Sequence, residues 1–185
     1  MKLKTGYIKT KYSEELHKSA LEFAKHKMRE DGKLNSKSER SDGGGIYLGY
    51  VSENLVAKKF NWIKEEPESR DYDLVTSSGT NIEVKCREVR VSLIPKKSYE
   101  AGIYTNYIQN CDYYIFTRIH ISSRVCWFLG MISKEEFHKK CRDIPAKTVQ
   151  SGNKKVWDLD IKNIFLRDLK WPKLVQESGQ LSKFE

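Results

Sequence analysis

Two short segments in which apolar and polar residues alternate constrain the fold of this chain most strongly. They are DYDLV (71–75) and NIEVKC (81–86). Alternation with a period of two predicts β-strands, and the polar residues between the segments predict a hairpin loop. Because a buried face fixes strand register, Leu74 must lie opposite Ile82. This register leaves a five-residue loop, 76–80, which is a common hairpin length.

The same register determines which charged residues meet across the hairpin. It places Asp73 directly opposite Glu83, and Asp71 opposite Lys85. Like charges directly opposite each other destabilise a sheet, and two carboxylates held together need a proton or a cation between them. A divalent ion such as Mg²⁺ resolves the repulsion, because it binds through one or two carboxylates together with phosphate and water. A solvent-facing hairpin with incidental charges is the alternative interpretation.

Lys85 follows Glu83 by two residues and therefore shares its face of the strand. Beside a metal ion, it could orient or deprotonate a water molecule, or neutralise charge that develops on phosphorus. Asp71 is either a further metal ligand or the partner of Lys85, and the hairpin register favours the second role.

The net charge of the chain favours an anionic partner. There are 34 Lys and Arg residues against 25 Asp and Glu residues, a formal net charge of +9. Such an excess favours nucleic acid first and a membrane surface second, with solubility alone as the plain alternative. Residues 71–83 nevertheless contain three acidic and no basic residues. A small acidic pocket in a basic chain suits a metal ion that faces a polyanion.

Several classes of protein and of site are excluded by what the sequence lacks. No apolar run approaches the ~18 residues that span a bilayer, so no membrane partner is predicted. The first residues, MKLKTGYIKTKYSEELHK, lack the apolar segment of a secretory signal, which predicts a cytoplasmic protein. The four cysteines form no C-x-x-C pair and are expected to be reduced thiols. No P-loop and no Ser-His-Asp set is found.

Hydrophobic periodicity predicts the other helices and strands. Apolar residues at helical spacing predict helices over Ser13–Asp31, Ile46–Phe60 and Ser98–Gln109. Longer apolar runs predict strands over Asp112–Ile121 and Val125–Ile132, the second of them covered on both faces.

A further helix is predicted to begin after Ser133, because Glu136 three residues on completes a capping box. The polar, glycine-rich segment Gly32–Gly45 predicts a mobile loop or linker. The chain is therefore expected to divide into a basic N-terminal helix with its loop (1–45), one domain (46–171) and a polar tail (172–185).

The hairpin resembles the motif of the PD-(D/E)XK nuclease superfamily. That motif is an Asp on one strand, a variable gap, and then Glu or Asp, any residue, and Lys on the adjacent strand. Here it is Asp73, nine intervening residues, and Glu83-Val84-Lys85. Tyr72 stands where the motif has Pro. Many members also carry a Glu on the helix before the hairpin, and Glu53 in GYVSENLVAKKF corresponds to it, with an exposed helix residue as the alternative.

The resemblance covers about Tyr47–Cys141 and implies a fold. The expected class is α/β, with a mixed α+β sheet, a restriction-endonuclease-like αβββαβ core and flanking helices. The order of elements is similar to that of resolvase-like, phage and archaeal recombination endonucleases, and the sequence does not choose among them. A phage or other viral source, and thus the host cytoplasm, is part of the same expectation.

The resemblance also implies an activity, metal-dependent hydrolysis of phosphodiester bonds in DNA, expected to be endonucleolytic. Mg²⁺, with Mn²⁺ as a substitute, would be held by Asp73, Glu83 and the backbone carbonyl of Val84. Glu53 would assist directly or through water, and Lys85 would position the attacking water. The product would carry a 5′-phosphate.

Phosphate contacts are predicted on the basic residues that follow Lys85. Arg87 shares its face by parity and is the first candidate. The others are Arg90, Lys96 and Lys97. Arg118 and His120 share a face of a later strand, and Tyr99, Tyr104 and Tyr107 could stack on bases.

Two other functions remain open from the sequence. One is a non-catalytic nucleic-acid-binding protein on the same fold, which keeps the basic charge and needs no metal. The other is an interaction protein, for example a phage-encoded inhibitor of a host enzyme, with incidental charge. If the substrate were a DNA junction or a palindrome, a homodimer would be required.

Overall fold

Three α-helices and two β-sheets form a mixed α+β architecture in the part of the chain that the computed structural model describes. That part comprises residues 6–31, 44–64, 72–90, 94–105, 109–149 and 156–171. The helices are α1 (Glu14–Asp31), α2 (Gly44–Phe60) and α3 (Lys134–Lys140). The strands are β1 (Ile8–Lys11), β2 (Ile63–Lys64), β3 (Leu74–Val75), β4 (Asn81–Glu88), β5 (Glu100–Tyr104), β6 (Tyr113–His120), β7 (Val125–Ser133), β8 (Arg142–Ile144) and β9 (Ile161–Phe165).

The larger sheet has six strands in the order β1-β7-β6-β4-β3-β2. β4 and β6 run parallel, and every other neighbouring pair in this sheet is antiparallel. All residues from Val125 to Ile132 in β7 are buried, which confirms the prediction of a strand covered on both faces. β1 pairs with β7, so residues 8–11 belong to this sheet.

One face of the large sheet packs against α1 and α2. Helix α2 has apolar residues on more than one side, and it buries Val51 and Val56 completely against Leu74 and Ile82 of the hairpin. The helix begins two residues before the predicted Ile46, at Gly44. This packing holds the apolar face of the hairpin and thereby fixes where its charged face lies.

The other face of the large sheet is covered by a second sheet, in the order β5-β9-β8, and by α3. Ile103 of β5 and Ile164 of β9 pack with Phe116 and Trp127 of the large sheet, and Phe137 of α3 joins them. Glu83, Lys85 and Arg87 of β4 alternate with Val84 and Cys86, which pack on the helix side, and so belong to this face.

The prediction of a helix over Ser98–Gln109 is wrong. Glu100–Tyr104 form β5, in which Ala101 and Ile103 are buried while Gly102 and Tyr104 are exposed. That alternation is a strand period of two, and β5 pairs with β9, a strand more than fifty residues later in the chain. Among the described residues, strand β5 therefore takes the place of the helix expected between β4 and β6.

The other predicted elements are confirmed within one or two residues. They are α1, α2, β6, β7 and α3. The N-cap of α3 is also confirmed, because Ser133 Oγ accepts the Glu136 N–H at 3.1 Å.

Some predictions fall beyond the described residues, and one lies only partly within them. Residues 32–43 of the predicted loop, Asp71, Tyr107 and the tail 172–185 are outside the described ranges, whereas Gly44 and Gly45 begin α2 and are not loop. The division of the chain at 1–45, 46–171 and 172–185 stays a prediction. Within the described ranges, no helix has both the length and the apolar character needed to cross a bilayer.

We expect Ser133→Ala to lower the free energy of unfolding by about 1 kcal/mol, because the first turn of α3 loses its side-chain cap. Urea denaturation should show a lower midpoint with an unchanged m value. Ser122→Ala, an exposed serine in the turn between β6 and β7, is the matched control and should change neither. Equal midpoints for the two variants would contradict a stabilising role for this cap.

Candidate active site

The hairpin has the register that the sequence predicts. Leu74 lies opposite Ile82 and Val75 opposite Asn81. The Asp73 N–H donates to the carbonyl of Ile82 at 3.0 Å, so Asp73 remains hydrogen-bonded to β4 just before β3 begins. The loop between the strands is closed by the Thr76 N–H, which donates to the Thr80 carbonyl, also at 3.0 Å.

The carboxylate of Asp73 takes the place of a main-chain acceptor just before β3 begins. The Val84 N–H donates to Asp73 Oδ2 at 2.7 Å. Since the N–H and the C=O of a strand residue point to the same side, the Val84 carbonyl also faces the Asp73 side of β4. The Asp73 carboxylate and the Val84 carbonyl oxygen thus lie on the same side of β4, and Glu83 is near enough for its charge to raise the pKa of Asp73.

Burial and mutual repulsion perturb both carboxyl groups. Glu83 is only 7% exposed, and burial raises its pKa, partly offset by Lys85. Burial also raises the pKa of Asp73 to about 8, with the charges of Glu83 and Glu53 adding to the effect. The Val84 N–H and Lys85 act in the opposite direction on Asp73. The folded chain therefore holds two acids close together, and ionising both of them costs free energy.

Lys85 and Gln109 both contact the same oxygen of Glu83. Lys85 Nζ lies 2.5 Å from Glu83 Oε1, and Gln109 Nε2 donates to that oxygen at 2.5 Å. Sequence reasoning missed Gln109, which comes from 26 residues further along the chain. Its position follows from the strand order: β4 and β6 are parallel, so the residues just before β6 lie near the start of β4.

Glu53 lies near the pair on the neighbouring helix α2. Its charge raises the pKa of both Asp73 and Glu83, and its Oε2 forms an ion pair with Lys64 Nζ at 3.0 Å. Lys64 is the partner that a carboxylate on an apolar flank needs, and sequence reasoning missed it. Glu53 is thus close enough to affect both acids, while one of its carboxylate oxygens is paired with Lys64.

The donor set is suited to a small hard cation. Among the described residues, no three His, Cys, Asp or Glu side chains stand close enough together to hold a metal on their own. Mg²⁺ does not require such a cage, since it takes one or two carboxylates and fills its remaining positions with water and substrate phosphate. Asp73, Glu83 and the Val84 carbonyl are ligands of that kind, and a cation between the carboxylates would remove their repulsion.

The residues predicted to contact phosphate differ in burial and in their neighbours. Arg87 follows Lys85 on the same face of β4, and its guanidinium carbon is 5.2 Å from the centre of the Trp157 ring. Arg118 lies beside Arg87 on β6, and burial together with the Arg87 charge lowers its pKa to about 10. The remaining three candidates are exposed: Arg90, Lys96 and Lys97.

We expect Asp73→Asn to stabilise the protein at alkaline pH. The pKa of Asp73 is about 8 in the folded protein, against 3.8 for an ordinary aspartate side chain. Between pH 3.8 and about 8 the folded state therefore binds more protons than the unfolded state. The free energy of unfolding contributed by this group therefore falls as pH rises. The free energy of unfolding of the variant should exceed that of wild type by at least about 1 kcal/mol near pH ~9, and this difference should shrink toward pH ~5.

Urea denaturation at the two pH values measures this difference. Asp143→Asn, an exposed aspartate of β8 paired with Lys162, is the matched control and should show no comparable pH trend. A constant difference between Asp73→Asn and wild type at both pH values would contradict the raised pKa.

Comparison with known proteins gives no independent indication of function. No protein-family model and no curated protein matches the chain. The interpretation of the site therefore rests on the carboxylate pair, on Lys85 and on the topology that positions them.

Proposed function

We propose that this protein is a metal-dependent nuclease of the PD-(D/E)XK type, which hydrolyses phosphodiester bonds in DNA as an endonuclease. The observation that carries the proposal is the half-buried Asp73, just before β3, close enough to the buried Glu83 of β4 for their charges to interact, with Lys85 Nζ 2.5 Å from Glu83 Oε1. A folded protein gains nothing in stability from two acids that repel each other where water screens them poorly. Their arrangement is explained if a divalent cation and a phosphate occupy the site during function.

The topology supports the finer proposal of a restriction-endonuclease-like core. Helix α2 precedes the antiparallel strands β2, β3 and β4, and β6 then runs parallel to β4. That order agrees with the first four elements and the last element of an αβββαβ core. The departure is β5, a strand where that core has its second helix, so the proposed core is a variant at this position.

Three groups would hold Mg²⁺, or Mn²⁺ in its place: the carboxylates of Asp73 and Glu83 and the carbonyl of Val84. Glu53 would assist directly or through water. A divalent cation bound there supplies charge that polarises a phosphoryl oxygen and stabilises the leaving 3′-oxygen. The Val84 N–H fixes the orientation of the Asp73 carboxylate, and the low exposure of Glu83 limits competing water.

Lys85 has a separate role in this proposal. Its ammonium group is held beside Glu83 and is only partly exposed, so it can donate a hydrogen bond to a water molecule or to a phosphoryl oxygen. Positive charge fixed in a partly buried site stabilises the charge that develops as the water attacks phosphorus. Hydrolysis would leave a 5′-phosphate on one product and a 3′-hydroxyl on the other.

A non-catalytic nucleic-acid-binding protein on the same fold is the second candidate. The net charge of +9 serves such a protein equally well. It does not account for Glu83, which is buried with its charge beside Asp73 on the face that carries Lys85. The candidates therefore differ in whether nucleic acid is cleaved and whether a metal is needed.

Wild-type protein should cleave DNA in the presence of Mg²⁺ or Mn²⁺ and not in EDTA. Supercoiled plasmid, branched DNA and single-stranded DNA are the substrates to compare on gels. Lys85→Ala should reduce the rate by at least about 10²-fold, since a positioned proton-transfer group contributes that much. Asp73→Ala should lose activity to a similar extent, because the site loses a cation ligand.

Lys139→Ala is the matched control for the lysine, since Lys139 is exposed on α3 and pairs with Glu135. It should cleave at the wild-type rate. The catalytic proposal would be contradicted if none of the three substrates were cleaved while DNA binding was unaffected by EDTA and by both site variants. That result would favour the non-catalytic binding protein.

Mn²⁺ alone should raise the melting temperature of the wild-type protein, because a ligand that binds only the folded state stabilises it. At 100 times its dissociation constant the stabilisation is about 2.7 kcal/mol. Asp73→Asn should lose most of the shift, while Asp143→Asn should keep it. Differential scanning fluorimetry over a Mn²⁺ titration measures this, and equal shifts in the two variants would argue against a cation at the carboxylate pair.

A further inference from the structure

A second charged cluster lies further along the strand that carries Glu83 and Lys85. Arg87 on β4 and Arg118 on β6 are direct partners in the parallel ladder. Like charges in such positions destabilise a sheet, so the pair needs an explanation just as the carboxylates do. Arg87 follows Lys85 by two residues, about 6.6 Å along the strand and on the same face.

Arg118 carries its charge into the interior. It is 8% exposed, and its Nη2 donates to the Glu100 carbonyl at 2.6 Å. No carboxylate in the described part of the chain forms an ion pair with it. A guanidinium has five N–H donors, and a buried charge without a counter-charge is costly. An anion that approaches from the Arg87 side would supply the missing negative charge.

Two aromatic rings flank the arginines. The Tyr99 ring centre lies 5.7 Å from the Arg118 guanidinium carbon, and Tyr99 is 44% exposed. The Trp157 ring lies 5.2 Å from the Arg87 guanidinium carbon. Guanidinium groups between partly exposed aromatic rings form the combination that binds single-stranded nucleic acid, where phosphate meets charge and bases stack on rings.

We propose that Arg87, with the charge of Arg118 behind it, binds the phosphate next to the one that is cleaved, and that Tyr99 contacts the attached nucleotide. This inference rests on the proposed function, since the cleaved phosphate defines the neighbour. The separation of Lys85 from Arg87 is comparable with the spacing of successive phosphates in a nucleic-acid strand. A single strand, or one strand opened from a duplex, would then run along β4 from Lys85 toward Arg87.

The test is binding of a fluorescein-labelled oligothymidylate in EDTA, followed by fluorescence anisotropy over a series of salt concentrations. Arg87→Gln should weaken binding about tenfold at low salt and lower the slope of log affinity against log salt by about 1. Arg87→Lys should keep the slope and regain part of the affinity, because it keeps the charge and loses the planar fork. Arg29→Gln, an exposed arginine on α1, is the matched control and should bind as wild type does.

A second probe separates the nucleotide contact from the phosphate contact. An abasic oligonucleotide of the same length should bind wild type more weakly than oligothymidylate, by roughly five- to a hundredfold. In Tyr99→Ala this ratio should fall toward one. Arg118 itself is a poor test position, because its hydrogen bond to Glu100 joins β5 to β6 and its loss would disturb the fold.

The outcomes distinguish this inference from the proposed function. If wild type cleaves DNA and Arg87→Gln binds with wild-type affinity and salt slope, the inference is overturned and the nuclease stands. If Arg87→Gln and Tyr99→Ala lose binding as expected while no substrate is cleaved, the contacts belong to a binding protein and the reference to a cleaved phosphate is wrong. If wild type does not bind the oligonucleotide, the inference is overturned outright.

Discussion

The repulsion between Asp73 and Glu83 is the constraint on which the site depends, and the apolar side of the hairpin imposes it. Leu74 and Ile82 are both 0% exposed, packed under α2. A one-residue slip would separate the carboxylates, but it would also turn both apolar side chains away from the core. Burying each such side chain contributes about 1.5–3 kcal/mol, so the register persists despite the repulsion. The core thus holds two acids together that would otherwise move apart.

Charge along β4 changes sign over a few residues. On one face of β4, Glu83 lies near Asp73, Lys85 follows two residues later, and Arg87 lies next to Arg118. The second sheet and α3 cover the middle of this face, so the charged groups lie where dielectric screening is weaker than in water. A cation at one end and phosphate oxygens along the rest would each be attracted to their own part of the strand. This change of charge along the strand becomes clear only when the acidic pair, Asp73 and Glu83, is considered together with the basic pair, Arg87 and Arg118.

Sequence reasoning predicted those parts of the molecule in which local pattern and burial agree. The hairpin register, the helix α2 and the N-cap at Ser133 follow from spacing within a few residues, and all three were predicted. Strand β5 was mistaken for a helix because its partner β9 lies far along the chain and Gly102 interrupts its pattern. A strand whose pairing is non-local has no signal in its own window.

The same limit applies to the site. Asp73, Glu83 and Lys85 could be brought together from the sequence because one hairpin contains them all. Lys64 could not, since its ion pair with Glu53 joins β2 to helix α2. Gln109 and the pairing of Arg87 with Arg118 could not either, since both depend on β4 and β6 being neighbours in the sheet. Once β4 and β6 are known to be parallel, these contacts follow, because corresponding ends of parallel strands lie side by side. Strand order was therefore the missing information. The sequence contains all of these residues, but it does not show which of them are neighbours. The chemistry of the site can be inferred only when the strand order places the carboxylate pair and the arginine pair on one face.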